Sequence, residues 1–205
     1  MHTSITQSET LRALFGAHPI LRARELRAAG VAPETIARAV ESGDIDRIAR
    51  GLYQLHDAPT DTDQGLAEIA KRIPNGVIAM VSALAFHGLT DQMPRRVWVA
   101  IGPSDWEPVI DYPPIRIVRL ADKYRRQGIE HHKVAGVDVP IYSVPKTLAD
   151  LFRNPRLVDR SVAVEGLRAA LDQRKTSPGE IAEAAAAGGV WKRMQPYLEA
   201  LSFHG

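Results

Sequence analysis

The chain has 205 residues, 45% of them hydrophobic and 24% charged, with a formal net charge of +2 and no cysteine. That is enough apolar material for a real core, spread over one small and one medium domain, and the missing thiols exclude disulfides, thiolate zinc sites, iron–sulfur clusters and cysteine nucleophiles. With no run of about eighteen apolar residues and no basic-then-apolar leader, the expectation is a cytoplasmic protein without a membrane span. In chain order, Thr6 and Glu9 have the spacing of a capping box and open a short helix with Leu11, Leu14 and Phe15 as its apolar stripe.

The stretch LRARELRAAG then reads as a helix with Leu26 and Ala29 facing inward, ended by Gly30. After a tight turn a second helix opens at Pro33 and runs to Ser42. Its spacing turns Ile36, Ala37 and Val40 inward and leaves Glu34, Thr35, Arg38 and Glu41 outside. Two strand-like runs, Ile45 to Ala49 and Leu52 to His56, flank Arg50-Gly51, a pair suited to a two-residue hairpin. Helix, turn, helix and hairpin make a winged helix-turn-helix over residues 1–60. In that unit the second helix enters the major groove while the wing grips phosphates. Thr35 and Arg38 are then candidates for base contact, and Arg47 and Arg50 for backbone contact. Helix pairs of this kind also serve as dimerisation or protein-docking modules. Charge does not separate the readings: Arg12, Arg22, Arg24, Arg27, Arg38, Arg47 and Arg50 are balanced by Glu9, Glu25, Glu34, Glu41, Asp44, Asp46 and Asp57.

The polar stretch from His56 to Asp63 marks a domain boundary, so residues 61–205 form the second domain. Leu66, Ile69, Ala70 and Ile73 repeat at helical spacing up to Pro74-Asn75-Gly76. The run Val77 to Thr90 reads as a buried helix closing at Gly88, with His87 in its last turn. Val97 to Ile101, Ile115 to Leu120, Ile129 to Val134 and Val137 to Tyr142 read as strands. The last two are joined at Ala135-Gly136, and Pro140 points to an edge position. Consecutive short strands with tight connections predict an antiparallel sheet. Ser143 caps a helix carrying Leu148, Leu151 and Phe152, and a helical tail follows: Val162 to Arg174, a segment opened by the capping box Ser177 to Glu180, and a last one with Trp191, Met194, Leu198 and Leu201. The fold class is therefore α+β.

Between Arg116 and Lys133, the cations Arg116, Arg119, Lys123, Arg125, Arg126 and Lys133 outnumber Asp122 and Glu130. An excess of this size beside Tyr124 suits a second phosphate contact, an acidic partner, or simply a solvated loop. Asp91, Asp105 and Asp150 with His87 would be the material of a metal-dependent nucleic-acid-processing enzyme, but they have no signature spacing and no glycine-rich phosphate loop accompanies them. His131 and His132, adjacent in a strand, point to opposite faces and do not chelate one ion. No metal, no cofactor and no catalysis are expected; an RNA-binding or protein-docking module is the other alternative.

The chain as a whole resembles the AbiEi family of bacterial transcriptional regulators, the antitoxins of type IV toxin–antitoxin and abortive-infection systems. The likeness rests on IARGLYQL in the winged unit, on VSALAFHGLT followed by RRVWVAIGP, and on IYSVPKTLADLFR before the helical tail, where this chain has Lys146 at a position usually held by arginine. The resemblance implies a DNA-binding regulator with an N-terminal winged helix-turn-helix and a C-terminal α/β domain. It also implies binding to operator DNA with inverted repeats upstream of its own operon and a cognate nucleotidyltransferase-like toxin encoded alongside; an inverted repeat would in turn suit a dimer on that DNA.

Overall fold

The computed structural model describes residues 6–18, 20–56, 64–92, 94–110 and 113–202. Past His56, the expected boundary stretch lies outside the described residues. The chain divides into two compact units, residues 1–72 with 133–138, and residues 73–132 with 139–205. The helix carrying Leu66 and Ile69 thus groups with the first unit, whereas the polar stretch in the sequence draws the line at residue 60.

The first unit runs α1 (Gln7–Ala17), β1 (Ile20–Arg22), α2 (Ala23–Ala28), α3 (Pro33–Glu41), β2 (Ile45–Ala49), β3 (Leu52–Leu55) and α4 (Gln64–Arg72). The capping box forms: the Glu9 N–H donates to Thr6 Oγ1 at 3.3 Å and the Thr6 N–H to Glu9 Oε2 at 2.7 Å. Helical periodicity starts the next helix at Leu21, but Ile20–Arg22 is a strand, antiparallel to β3 with Leu21 opposite Tyr53. Ile20 and Leu21 are both buried. A three-residue strand covered on both faces shows no alternation, so nothing local separates it from a helix start. The strands order β1-β3-β2, and the β2–β3 hairpin turns at Arg50-Gly51, where Gly51 has φ +69°. Its ladder slips by one residue between Arg47 and Ala49, a bulge that turns the wing. Leu11, Phe15, Leu21, Leu26, Val31, Ile36, Ala39 and Ile45 close the core. Lys71 of α4 donates to Glu25 Oε1 at 2.7 Å, and the other Glu25 oxygen accepts the Arg22 N–H at 2.7 Å. Burial acts against this carboxylate, yet those donors hold its pKa below the ordinary glutamate value.

The rest of the chain runs β4 (Val77–Ile78), α5 (Met80–Phe86), β5 (Val97–Ile101), β6 (Ile115–Arg119), α6 (Asp122–Arg125), β7 (Ile129–Val134), β8 (Val137–Tyr142), α7 (Val144–Arg153), α8 (Arg160–Asp172), α9 (Pro178–Ala187) and α10 (Trp191–Ser202), all in the second unit except residues 133–138, where β7 ends and β8 begins. Its strands order β6-β5-β4-β8-β7. The sheet is mixed, and this corrects the antiparallel expectation: β4 is antiparallel to β5, but β5–β6 and β4–β8 are parallel. The cause lies in the connections. Residues 102–114 between β5 and β6 are an excursion of the length a parallel crossover needs, about a dozen residues. The supposed continuous helix from Val77 also gives up its first two residues to β4, a strand too short to read from sequence. Pro140 is not on an edge strand, since β8 lies between β4 and β7. The one register pair of β4 with β8, Ile78 opposite Ile141, is next to the proline.

Helix α7 is the centre of this unit, with Val144 and every residue from Lys146 to Phe152 buried. Helices α5, α8, α9 and α10 all pack against it. At its start the Lys146 N–H donates to Ser143 Oγ at 3.4 Å, as the sequence predicts. The capping box of α9 also forms, the Ser177 N–H donating to Glu180 Oε2 at 2.8 Å.

Candidate nucleic-acid interface

Helix α3 is positioned by α1. Gln7 Oε1 accepts from the Thr35 hydroxyl at 2.8 Å and from the Ala32 N–H at 3.1 Å, so one amide ties down both the start of α3 and its first turn. This overturns the assignment of Thr35 to the outer face. Thr35 is 5% exposed, and its hydroxyl is already satisfied by Gln7. Ala37 is likewise exposed instead of inward, and Ala39 takes the core position. The buried stripe is rotated towards Thr35 because a threonine with a fixed acceptor can be buried at little cost.

The outer face of α3 therefore presents Glu34, Ala37, Arg38 and Glu41. Arg38 stays exposed, with one long bond from Nη2 to Thr35 Oγ1 at 3.5 Å. Arg12 of α1, which had no assigned role in the sequence, joins it: both line a groove of about 560 Å³ floored by Leu11, Phe15 and Ile45. Nothing in the sequence could have paired them, since their proximity depends on how α1 lies on α3. On the wing, Arg47 and Arg50 are exposed, Arg47 opposite Tyr53 in the ladder and Arg50 at the turn. At the base of the wing Asp46 Oδ2 lies 3.1 Å from His56 Nδ1.

The basic stretch from Arg116 to Lys133 separates into two groups. Arg119 holds the loop after β5, donating from Nη1 to the carbonyls of Gly102 at 3.2 Å, Pro103 at 3.3 Å and Asp105 at 2.8 Å, and from Nη2 to Glu107 at 3.3 Å. Arg125, its side chain 17% exposed, donates to Asp122 Oδ1 at 3.3 Å and to the Asn75 carbonyl at 3.4 Å. Both guanidiniums are thus engaged within the protein, a use the sequence reading of them as phosphate contacts did not foresee. Lys133 lies 3.6 Å from Asp138. Arg116, Lys123 and Arg126 remain outward. The Arg116 guanidinium stacks 4.1 Å above the Trp98 ring, and Lys123 Nζ lies 4.7 Å from the Tyr124 ring centre.

The residues of the enzymatic alternative do not come together. Among the described residues no group of three or more histidines and acids could hold a metal ion. Asp105 accepts the Gly102 N–H at 2.7 Å. Asp150, completely buried, is bound by Lys146 Nζ at 2.6 Å and by Arg153. His132 faces Glu130 at 3.2 Å. Among the described residues no helix is long and apolar enough to cross a membrane.

His87 ends α5 with Nε2 2.7 Å from the Tyr142 carbonyl. Burial holds its pKa below the ordinary histidine value, against the opposing pull of that carbonyl. The folded chain therefore keeps His87 neutral where the unfolded chain takes up a proton, so its contribution to stability is full above about pH 6.5 and lost on acidification below it. In His87→Gln, urea unfolding between pH 7.5 and 5 is expected to lose part of this acid dependence; an unchanged pH slope would assign the dependence to other groups.

A helix pair set against a three-stranded sheet whose last hairpin projects as a wing defines the class: the first unit is consistent with a winged helix-turn-helix. The sequence pattern of the family described as "Transcriptional regulator, AbiEi antitoxin" matches residues 9–56, which run from the first turn of α1 to the end of the wing. Over that segment, under a quarter of its length, the chain is similar to the AbiEi antitoxin and regulator family. Among solved structures, the chain is similar to the RV2827C protein from Mycobacterium tuberculosis, with 15% identity and a TM-score of 0.57 over 94% of this chain and 80% of that one. At such identity the likeness is one of fold alone. No curated protein matches the chain.

Proposed function

We propose that this protein is a DNA-binding transcriptional regulator of the AbiEi antitoxin type, which represses its own operon by binding inverted repeats and counters a nucleotidyltransferase-like toxin encoded beside it. The observation that carries this reading is the coincidence of the family match with the winged unit, on which α3 offers Arg38 and the wing offers Arg47 and Arg50. Arg38 reads a base edge and the wing arginines neutralise phosphates, while Arg116, Lys123 and Arg126 supply a second basic surface. The first unit has no basic excess, so one copy binds weakly. Two copies on an inverted repeat gain avidity without new contacts, with half-sites about one helical turn or a multiple apart. The protein acts without catalysis of its own, as a cytoplasmic factor that protects a discrete operator and leaves it uncut.

The test is a titration of the full chain on its upstream region across a salt series. Replacing Arg47 and Arg50 together by alanine should reduce the magnitude of the log–log salt slope by about 1.8, at about 0.9 for each phosphate that is no longer neutralised, with sequence preference kept. An unchanged slope would place the wing away from the DNA, and equal affinity for operator and random duplex would remove the regulator reading.

A further inference from the structure

Where α7 ends and α8 and α10 begin, the second unit has a concavity of about 570 Å³ whose walls carry Arg153, Arg156, Arg160 and Arg193 beside Pro155 and Leu157. Among the described residues no acidic one lines it. The acid next to Arg160 in the chain, Asp159, is engaged in capping α8 and accepts the Ser161 N–H at 2.8 Å. We propose that this concavity binds a polyphosphate anion, either pyrophosphate or the phosphate chain of a nucleoside triphosphate.

Four guanidiniums around one hollow repel one another, and nothing in the fold uses that repulsion. Two of them, Arg156 and Arg193, are exposed, and their side chains make no hydrogen bond or ion pair with any described residue. Arg160 reaches only a neutral partner, the Tyr197 hydroxyl at 3.3 Å. Arg153 forms the fixed wall. Its guanidinium lies 3.9 Å over the Tyr124 ring and is held by Asp150, yet its Nε is buried with no hydrogen-bond partner. Asp150 does not cancel this positive charge, because it is shared with Lys146 at 2.6 Å, so two cations meet one carboxylate and a charge is left over. One held and three exposed arginines around one hollow suit planar, bidentate recognition of phosphate oxygens. The volume falls in the range of small-ligand sites, about 300–1,000 Å³, and a hollow of that size admits a compact multivalent anion but not the convex surface of a duplex. Leu157, 36% exposed, offers an apolar wall against which the ring of a nucleotide could rest.

Calorimetric titration of the full chain with sodium pyrophosphate, ATP and adenosine at constant ionic strength tests this. The expected result is saturable one-to-one binding of pyrophosphate and ATP and none of adenosine, with affinity falling about tenfold in each of Arg156→Gln and Arg193→Gln as one charge-assisted hydrogen bond is removed. Tighter binding of ATP than of pyrophosphate would identify a nucleotide as the source of the phosphates, and equal binding a free polyphosphate. Both substituted side chains are exposed, and a thermal melt of each variant confirms that the fold is kept. The proposal is overturned if neither anion binds saturably, if the Arg156→Gln/Arg193→Gln chain binds as the parent does, or if Arg116→Gln/Arg126→Gln weakens binding equally, which would reduce the effect to general charge. Weaker duplex affinity in the Arg156→Gln/Arg193→Gln chain with no pyrophosphate binding by the parent would overturn it too and assign these arginines to DNA. None of these outcomes depends on whether the winged unit binds an operator.

Discussion

Asp150→Ala should lower the free energy of unfolding by about 3–5 kcal/mol, the usual loss when one partner of a buried ion pair is removed. Asp150 is completely buried and Lys146 only 3% exposed. Burial already disfavours the Lys146 ammonium and lowers its pKa, with Asp150 as the main force in the other direction. Without the carboxylate, the ammonium is left buried without its counter-charge in the first turn of α7, the helix around which α5, α8, α9 and α10 pack. Lys146→Met should lose less, because Asp150 keeps Arg153 as a partner. The combined Lys146→Met/Asp150→Leu chain should recover much of the loss, since an apolar pair of similar volume replaces a buried ion pair with little penalty. Urea unfolding curves of the three variants decide it. A loss below about 1 kcal/mol in Asp150→Ala would mean that the site rehydrates and that the pair adds little to the core.

The largest expected effect on DNA comes from Arg38. Arg38→Ala should weaken operator binding by about 1–3 kcal/mol and relax preference at one base position, while leaving the salt slope nearly as it was. It is the one cation on the exposed face of α3, where Glu34 and Glu41 would otherwise meet phosphates with like charge. Thr35→Ala provides the contrast. Because the Thr35 hydroxyl is buried against Gln7, its removal should lower stability by about 1–3 kcal/mol, as the amide oxygen loses a partner, with operator sequence preference unchanged. Gel-shift titration of both variants on operator and on random duplex separates the two roles. Equal weakening of Arg38→Ala on both DNAs would reassign Arg38 to the backbone.

Chain order and local chemistry alone determined the features that three or four neighbouring residues decide. The boxes at Thr6–Glu9 and Ser177–Glu180 and the cap at Ser143 lie where the residue types require them, because a cap is a bond between a side chain and a backbone N–H three residues away. The wing turn at Arg50-Gly51 is equally local: a two-residue loop needs positive φ, and glycine adopts it without strain. The resemblance to AbiEi regulators was legible for the same reason, its best-supported part being the unbroken segment 9–56.

Tertiary structure alone decided the rest. β1 and β4 are too short to show a period, and they exist because β3 in one unit, and β5 and β8 in the other, offer them free backbone groups. The parallel pairs follow from where long connections return, which residue spacing does not encode. Which polar groups stay available for a partner was decided in the same way. Thr35 found Gln7 at a distance of 28 residues, Arg119 found the carbonyls of residues 102–105, and Arg125 found Asn75, while Arg38 and Arg116 stayed exposed. A side chain's charge is fixed by its type, but its freedom to bind depends on acceptors brought close by the fold. The four arginines at 153, 156, 160 and 193 are the clearest case: three follow one another closely in the chain, and the fourth joins them only because α10 packs against α7 and α8.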